Sequence, residues 1–112
     1  MSASDVQLGL DKLVTQGGLN QIRDFLVERG ITGVRRSASQ CAISRYLHAE
    51  GFAQPDEHVD VLSDPKGEGA VHVVRTDGTT LDFRVLPLPR VLNNFAVMFD
   101  VGKFQELAEQ SG

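Results

Sequence analysis

Ala70-Val71-His72-Val73-Val74-Arg75-Thr76-Asp77-Gly78-Thr79-Thr80-Leu81-Asp82-Phe83-Arg84-Val85 is the stretch that sets the fold class. It alternates with period 2 on both sides of Asp77-Gly78, the dipeptide that favours a two-residue type I′ turn. The pattern predicts strands at 70–76 and 79–85, joined as a β-hairpin. A two-residue turn pairs Thr76 with Thr79, Val74 with Leu81, His72 with Phe83 and Ala70 with Val85. These residues share one mostly apolar face, which is expected to meet the rest of the protein. Val71, Val73, Arg75, Thr80, Asp82 and Arg84 share the other, wetter face. Its valine pair needs a cover, either the C-terminal segment or a partner.

Upstream of the hairpin the period is helical. Val6, Leu10, Leu13 and Val14 form one stripe over 5–16, with Ser4 and Gln7 at capping-box spacing and Gly17-Gly18 as the stop. Leu19, Ile22, Phe25 and Leu26 form a second stripe over 19–29, closed by Gly30. After the connector 31–36, Ile43, Tyr46 and Leu47 mark a third helix over about 38–50, with Ser37 and Gln40 as its capping box. His58 to Leu62 alternates weakly and reads as a strand, and 64–69 as a loop. Downstream, Pro87-Leu88-Pro89 ends the sheet pattern. Val91, Leu92, Phe95, Met98 and Phe99 make a fourth helical stripe, and Phe104, Leu107 and Ala108 a short final one.

Three helices, a strand with a hairpin, then one or two helices give an α+β fold with a small antiparallel sheet. The 112 residues form one expected domain, 1–112, since no linker or repeat divides them. Apolar residues at 41% and charged residues at 23% exclude a disordered or fibrous chain. A single cysteine, Cys41, excludes an internal disulfide and fits a reducing compartment. The N-terminal residues lack the basic and apolar regions of a leader, and no apolar run reaches the about 20 residues of a membrane span. The expected location is cytoplasmic.

The net charge is −4, which disfavours a dedicated nucleic-acid binder. Its distribution is uneven. Residues 19–51 carry five Arg against three acids, and residues 52–70 carry five acids against one Lys.

Gly30-Ile31-Thr32-Gly33-Val34-Arg35-Arg36 is followed by Cys41-Ala42-Ile43-Ser44-Arg45-Tyr46-Leu47. Leu88-Pro89, Phe95 and Phe99-Asp100-Val101-Gly102-Lys103-Phe104 then precede Leu107. Over about 25–107 this pattern resembles a set of small uncharacterised proteins from actinobacteria and their phages. The resemblance implies an intracellular bacterial or phage setting and brings no activity with it.

No constellation has catalytic or metal-binding spacing. Cys41 and His48 are seven residues apart on the expected helix, about 10 Å along its axis, too far to share one zinc ion. Cys41 lies four residues past the Ser37 cap, where a helix N-terminus lowers a thiol pKa, but beside Ala42 it reads as a small buried residue. The glycine pairs at 30–33 and 67–69 lack the context of a phosphate loop. His72 reads as a core histidine. The expectation is a non-enzymatic protein with no cofactor and no metal.

Two readings remain. In the first, the chain binds another protein or itself, through Arg35, Arg36, Gln40, Ser44 and Arg45 or through the sheet face of Val71, Val73, Arg75 and Arg84. In the second, it is a winged helix-turn-helix DNA-binding regulator. The helix at about 37–50 then offers Gln40, Ser44 and Arg45 to bases, Arg35 and Arg36 flank the backbone, and the hairpin at about 70–85 is the wing. Asp77 at the wing tip and a seven-residue turn count against the second.

Overall fold

The structure, a computed structural model, describes residues 5–76 and 81–108. It is α+β, as the patterning requires. Helices α1 (Val6–Val14), α2 (Leu19–Glu28) and α3 (Ala42–Ala49) precede strands β1 (Glu57–Leu62), β2 (Ala70–Thr76) and β3 (Leu81–Pro87). Helix α4 (Arg90–Asp100) and a 3-10 turn at Gln105–Leu107 follow. The strands form one antiparallel sheet in the order β1-β2-β3. Among the described residues, no helix is long and apolar enough to cross a membrane.

The apolar stripes converge on a single core. Val6, Leu10 and Leu13 of α1 meet Ile22, Phe25 and Leu26 of α2, Ile43, Tyr46 and Leu47 of α3, and Leu92, Phe95 and Phe99 of α4. Each such side chain, fully buried, contributes about 1.5–3 kcal/mol. Gly9 lets α1 approach α3 closely, since a Cβ there would lie 2.5 Å from Leu47 Cδ2. Asn93 is the buried polar exception on α4. Its Oδ1 accepts the Asp64 N–H and its Nδ2 donates to Asp64 O, both at 2.8 Å, so the 64–69 loop is held from inside. The Ser4 cap expected for α1 lies outside the described residues.

Three expectations are corrected. First, the hairpin register differs by two residues. Thr76 pairs with Leu81, Val74 with Phe83, His72 with Val85 and Ala70 with Pro87. The connection therefore holds four residues, 77–80, and the Asp77-Gly78 turn lies outside the described residues. An even shift leaves every side chain on its expected face.

Second, the face that meets the helices is the opposite one. Val71 and Val73 are 0% and 2% exposed and belong to the core, so they are not an exposed interface. Leu81, Phe83 and Val85 stand in solvent. The strand β1 decides this. It aligns Val59 with Val73 and Val61 with Val71, which makes one continuous apolar strip across two strands. The opposite rows contain Asp60 beside His72 and His58 beside Val74. His72 is accordingly on the outer face, half-buried, with its ring 5.3 Å from that of Phe83 in an edge contact.

Third, α3 starts at Ala42, not near Ala38. The Ser37 hydroxyl accepts the Gln40 N–H at 3.2 Å, but this closes a local turn ahead of the helix. The connector between α2 and α3 is thus residues 29–41, and the compact turn of a helix-turn-helix is not formed.

Candidate interaction surface

A three-stranded sheet has two edge strands, and an edge strand presents unpaired backbone N–H and C=O groups. The two edges of this sheet are treated differently. On β1 the outward-directed groups are those of Glu57, Val59 and Val61. The Val61 N–H donates to Ala38 O at 2.9 Å. Ser44 Oγ lies 2.9 Å from Val59 O and 3.0 Å from Ser39 O. His48 Nε2 lies 2.9 Å from Glu57 O. The connector and α3 therefore cap this edge along its length. Ser44 and His48, four residues apart, share the face of α3 that does so.

Among the described residues, the β3 edge carries no such cap. Among the described residues, no hydrogen bond reaches its outward-directed groups. No residue of β3 is buried, whereas β1 buries every second one. Leu81, Phe83 and Val85 are 65%, 53% and 54% exposed and lie on the outer face of the sheet. Val74 stands opposite Phe83, and Leu62 lies two rows further along the same face. The result is an apolar strip that runs along an open strand edge. Exposed contiguous apolar surface of this kind marks an interaction site or an aggregation hazard.

The inner side of β3 is polar. Arg84 Nη2 lies 3.6 Å from Glu57 Oε2, and the other carboxylate oxygen of Glu57 accepts the Gln54 N–H at 2.7 Å. Arg75 pairs with Asp56 at 3.2 Å. Arg75 and Arg84, expected on the wet face of the hairpin, thus lie on the helix-facing side and make ion pairs there.

The remaining predicted residues are not gathered on one surface. Arg35 closes the C-terminal end of α4. Its Nε donates to Phe99 O at 2.8 Å and its Nη2 to Lys103 O at 3.1 Å, with the guanidinium 5.3 Å from the Phe99 ring centre. A cation there meets the negative end of the helix. The Arg36 backbone is left-handed at φ 61°, and its N–H donates to Asp100 Oδ1 at 2.8 Å. Arg45 and Gln40 are brought together, with Nη2 donating to Oε1 at 3.0 Å. Ser44 is wholly buried, so it is unavailable to any partner.

Arg36 and Arg45 line different clefts. The first, about 210 Å³, is framed by Arg36, Asp100 and Leu62 over Cys41, Phe95 and Phe99. It is smaller than the about 300–1,000 Å³ usual for small-molecule sites. The second is an open groove of about 500 Å³ beside Gln40, Arg45, His48, Glu57 and His58. Burial pushes the Cys41 thiol up to about 11, against minor lowering by nearby backbone hydrogen bonds. It is therefore a thiol, not a thiolate, at neutral pH. No group of three metal-ligating side chains occurs among the described residues.

The hairpin pattern alone assigns the exposed trio Leu81, Phe83 and Val85 to the buried side. The signal that finds it is the alternation Val59/Val61 in β1, once β1 is aligned on β2. No family model, curated protein or solved structure matches this chain.

Proposed function

We propose that this chain is a non-catalytic protein-binding module that works through the open edge and outer face of β3. The observation that carries this reading is the contrast between the two sheet edges. One edge is closed by side-chain and backbone bonds, while among the described residues the other is left open beside Leu81, Phe83 and Val85. Strand addition at such an edge gives affinity through main-chain bonds and selectivity through the alternating side chains. The arginines of the helical region support the reading indirectly. Arg35 and the Arg45–Gln40 pair hold connector segments in place within the chain. A reducing cytoplasmic setting agrees with a buried thiol that serves as packing.

The double variant Leu81→Glu/Val85→Glu tests this. Both positions are exposed, so its melting temperature is expected to stay within about 3 °C of wild type. Wild type is expected to bind a protein, its own copy or another from the lysate of its cell, and the variant to lose it. Equal retention by both chains, or no protein bound by wild type, overturns the reading.

A further inference from the structure

We propose that the partner of β3 is β3 of a second copy, paired antiparallel about a two-fold axis at Phe83. This rests on the protein-binding reading above and names its partner.

The backbone sets which pairings are open. Leu88 donates its N–H to Gly69 O at 3.1 Å, in line with the β2–β3 register. Bonded pairs alternate in an antiparallel ladder. The groups of Asp82, Arg84 and Leu86 therefore point to β2, and those of Leu81, Phe83 and Val85 point to the free edge. A second strand can bond only to this second set. Antiparallel pairing centred on Phe83 satisfies that phase. It sets Phe83 against Phe83 and Leu81 against Val85 as bonded pairs.

Charge selects the register. With Phe83 at the axis, Asp82 stands directly opposite Arg84 of the second copy, twice by symmetry. Moving the axis one residue to Asp82 sets Asp82 against Asp82. Moving it to Arg84 sets Arg84 against Arg84. Both shifts keep the backbone phase, but both juxtapose like charges, which is destabilising across strands. Arg84 already lies 3.6 Å from Glu57 of its own chain, so its guanidinium would sit between two carboxylates. Of the registers centred on Asp82, Phe83 and Arg84, β3 is thus complementary to itself in the one at Phe83, as an isologous interface requires.

Such a two-fold runs perpendicular to the sheet, so both outer faces stay on the same side. The two three-stranded sheets become one, and Leu81, Phe83 and Val85 of each copy meet in a single apolar strip. The β1 edge has no equivalent role because α3 and the connector occupy it. A strand-edge contact of this length falls in the size class below about 1,200 Å², which gives weak, reversible complexes.

Sedimentation equilibrium from about 1 to about 300 µM is expected to show a reversible monomer–dimer equilibrium in the range typical of small interfaces. Asp82→Lys, which faces Arg84 with a second cation, is expected to weaken the dimer about tenfold. Oxidative cross-linking reads the register. Phe83→Cys chains should link to themselves, since bonded pairs hold Cα atoms about 5.5 Å apart. Val85→Cys chains should not, being offset by more than about 13 Å, but should link to Leu81→Cys chains. Wild type, with only the buried Cys41, is the unlinked control.

A dimer that links at Asp82→Cys or Arg84→Cys but not at Phe83→Cys overturns the register. A chain that stays monomeric throughout, while the Leu81→Glu/Val85→Glu variant still loses a captured protein, overturns the second copy and leaves the protein-binding reading standing. Loss of both overturns the two together.

Discussion

Val73→Asp is expected to unfold the chain, while Phe83→Asp leaves it folded. The two residues are close neighbours in adjacent strands but lie on opposite faces of the sheet. Val73 is 2% exposed, opposite Val59 on β1 and Arg84 on β3. Replacing it removes about 2 kcal/mol of apolar burial and puts a carboxylate in its place. The carboxylate is either desolvated or must bind a proton to stay inside, and each course is costly. A combined loss above about 4 kcal/mol is expected, against a total of about 5–15 kcal/mol for a typical domain. Phe83 is half-exposed and its substitution should cost no more than about 1 kcal/mol. Urea titration followed by circular dichroism separates the two. A folded, wild-type-like Val73→Asp chain would mean that the face assignment is inverted.

Gly33→Ala is the second large effect. The Gly33 N–H donates to Leu107 O at 2.7 Å, and Gly33 forms a parallel bridge with Ala108. An added Cβ would fall against the backbone of Cys41 and Ala42, closer than any real contact allows. Neither obstacle is a flexible side-chain tip, so the main chain must move. The part that moves is the N-terminus of α3, two residues before the Ser44 that bonds β1. The expected cost is about 3 kcal/mol, from overpacking and the disturbed hydrogen bond. That is about 12–20 °C in melting temperature for a domain near this size. A melting temperature within about 3 °C of wild type would show that the 29–41 connector adapts freely.

The fold class is legible because the hydrophobic period changes twice, from 3.6 in the first half to 2 around residue 58, and back after Pro89. The stripes of the four helices are the ones that the core uses, except that Met98 of α4 stands exposed at the edge of its stripe. The hairpin read alone could not orient itself. Five apolar residues on one side, Ala70, Val74, Leu81, Phe83 and Val85, outnumber Val71 and Val73 on the other, and only the alignment of Val59 and Val61 reverses the choice. Ser37 and Gln40 have the spacing of a helix cap but close a turn, so the pattern sets the start of α3 too early. The candidate site was less legible still. Arg35 reaches Phe99 O and Lys103 O, 64 and 68 residues away, and no local pattern encodes such bonds. The capping of β1 by Ser44 and His48 depends equally on tertiary contact. Without it, β1 and β3 are two similar edge strands, and nothing marks β3 as the open one.

The claim that β3 is the open and working edge is tested most directly by residue-resolved amide hydrogen exchange. In the dilute chain, the outward amides of Leu81, Phe83 and Val85 are predicted to exchange rapidly. The Val61 amide, bonded to Ala38 O on the opposite edge, is predicted to be protected. In the complex that the chain forms, the three β3 amides are predicted to slow together while Val61 is unchanged. Protection of all three already in the dilute chain, or fast exchange that persists in the complex, would contradict the account.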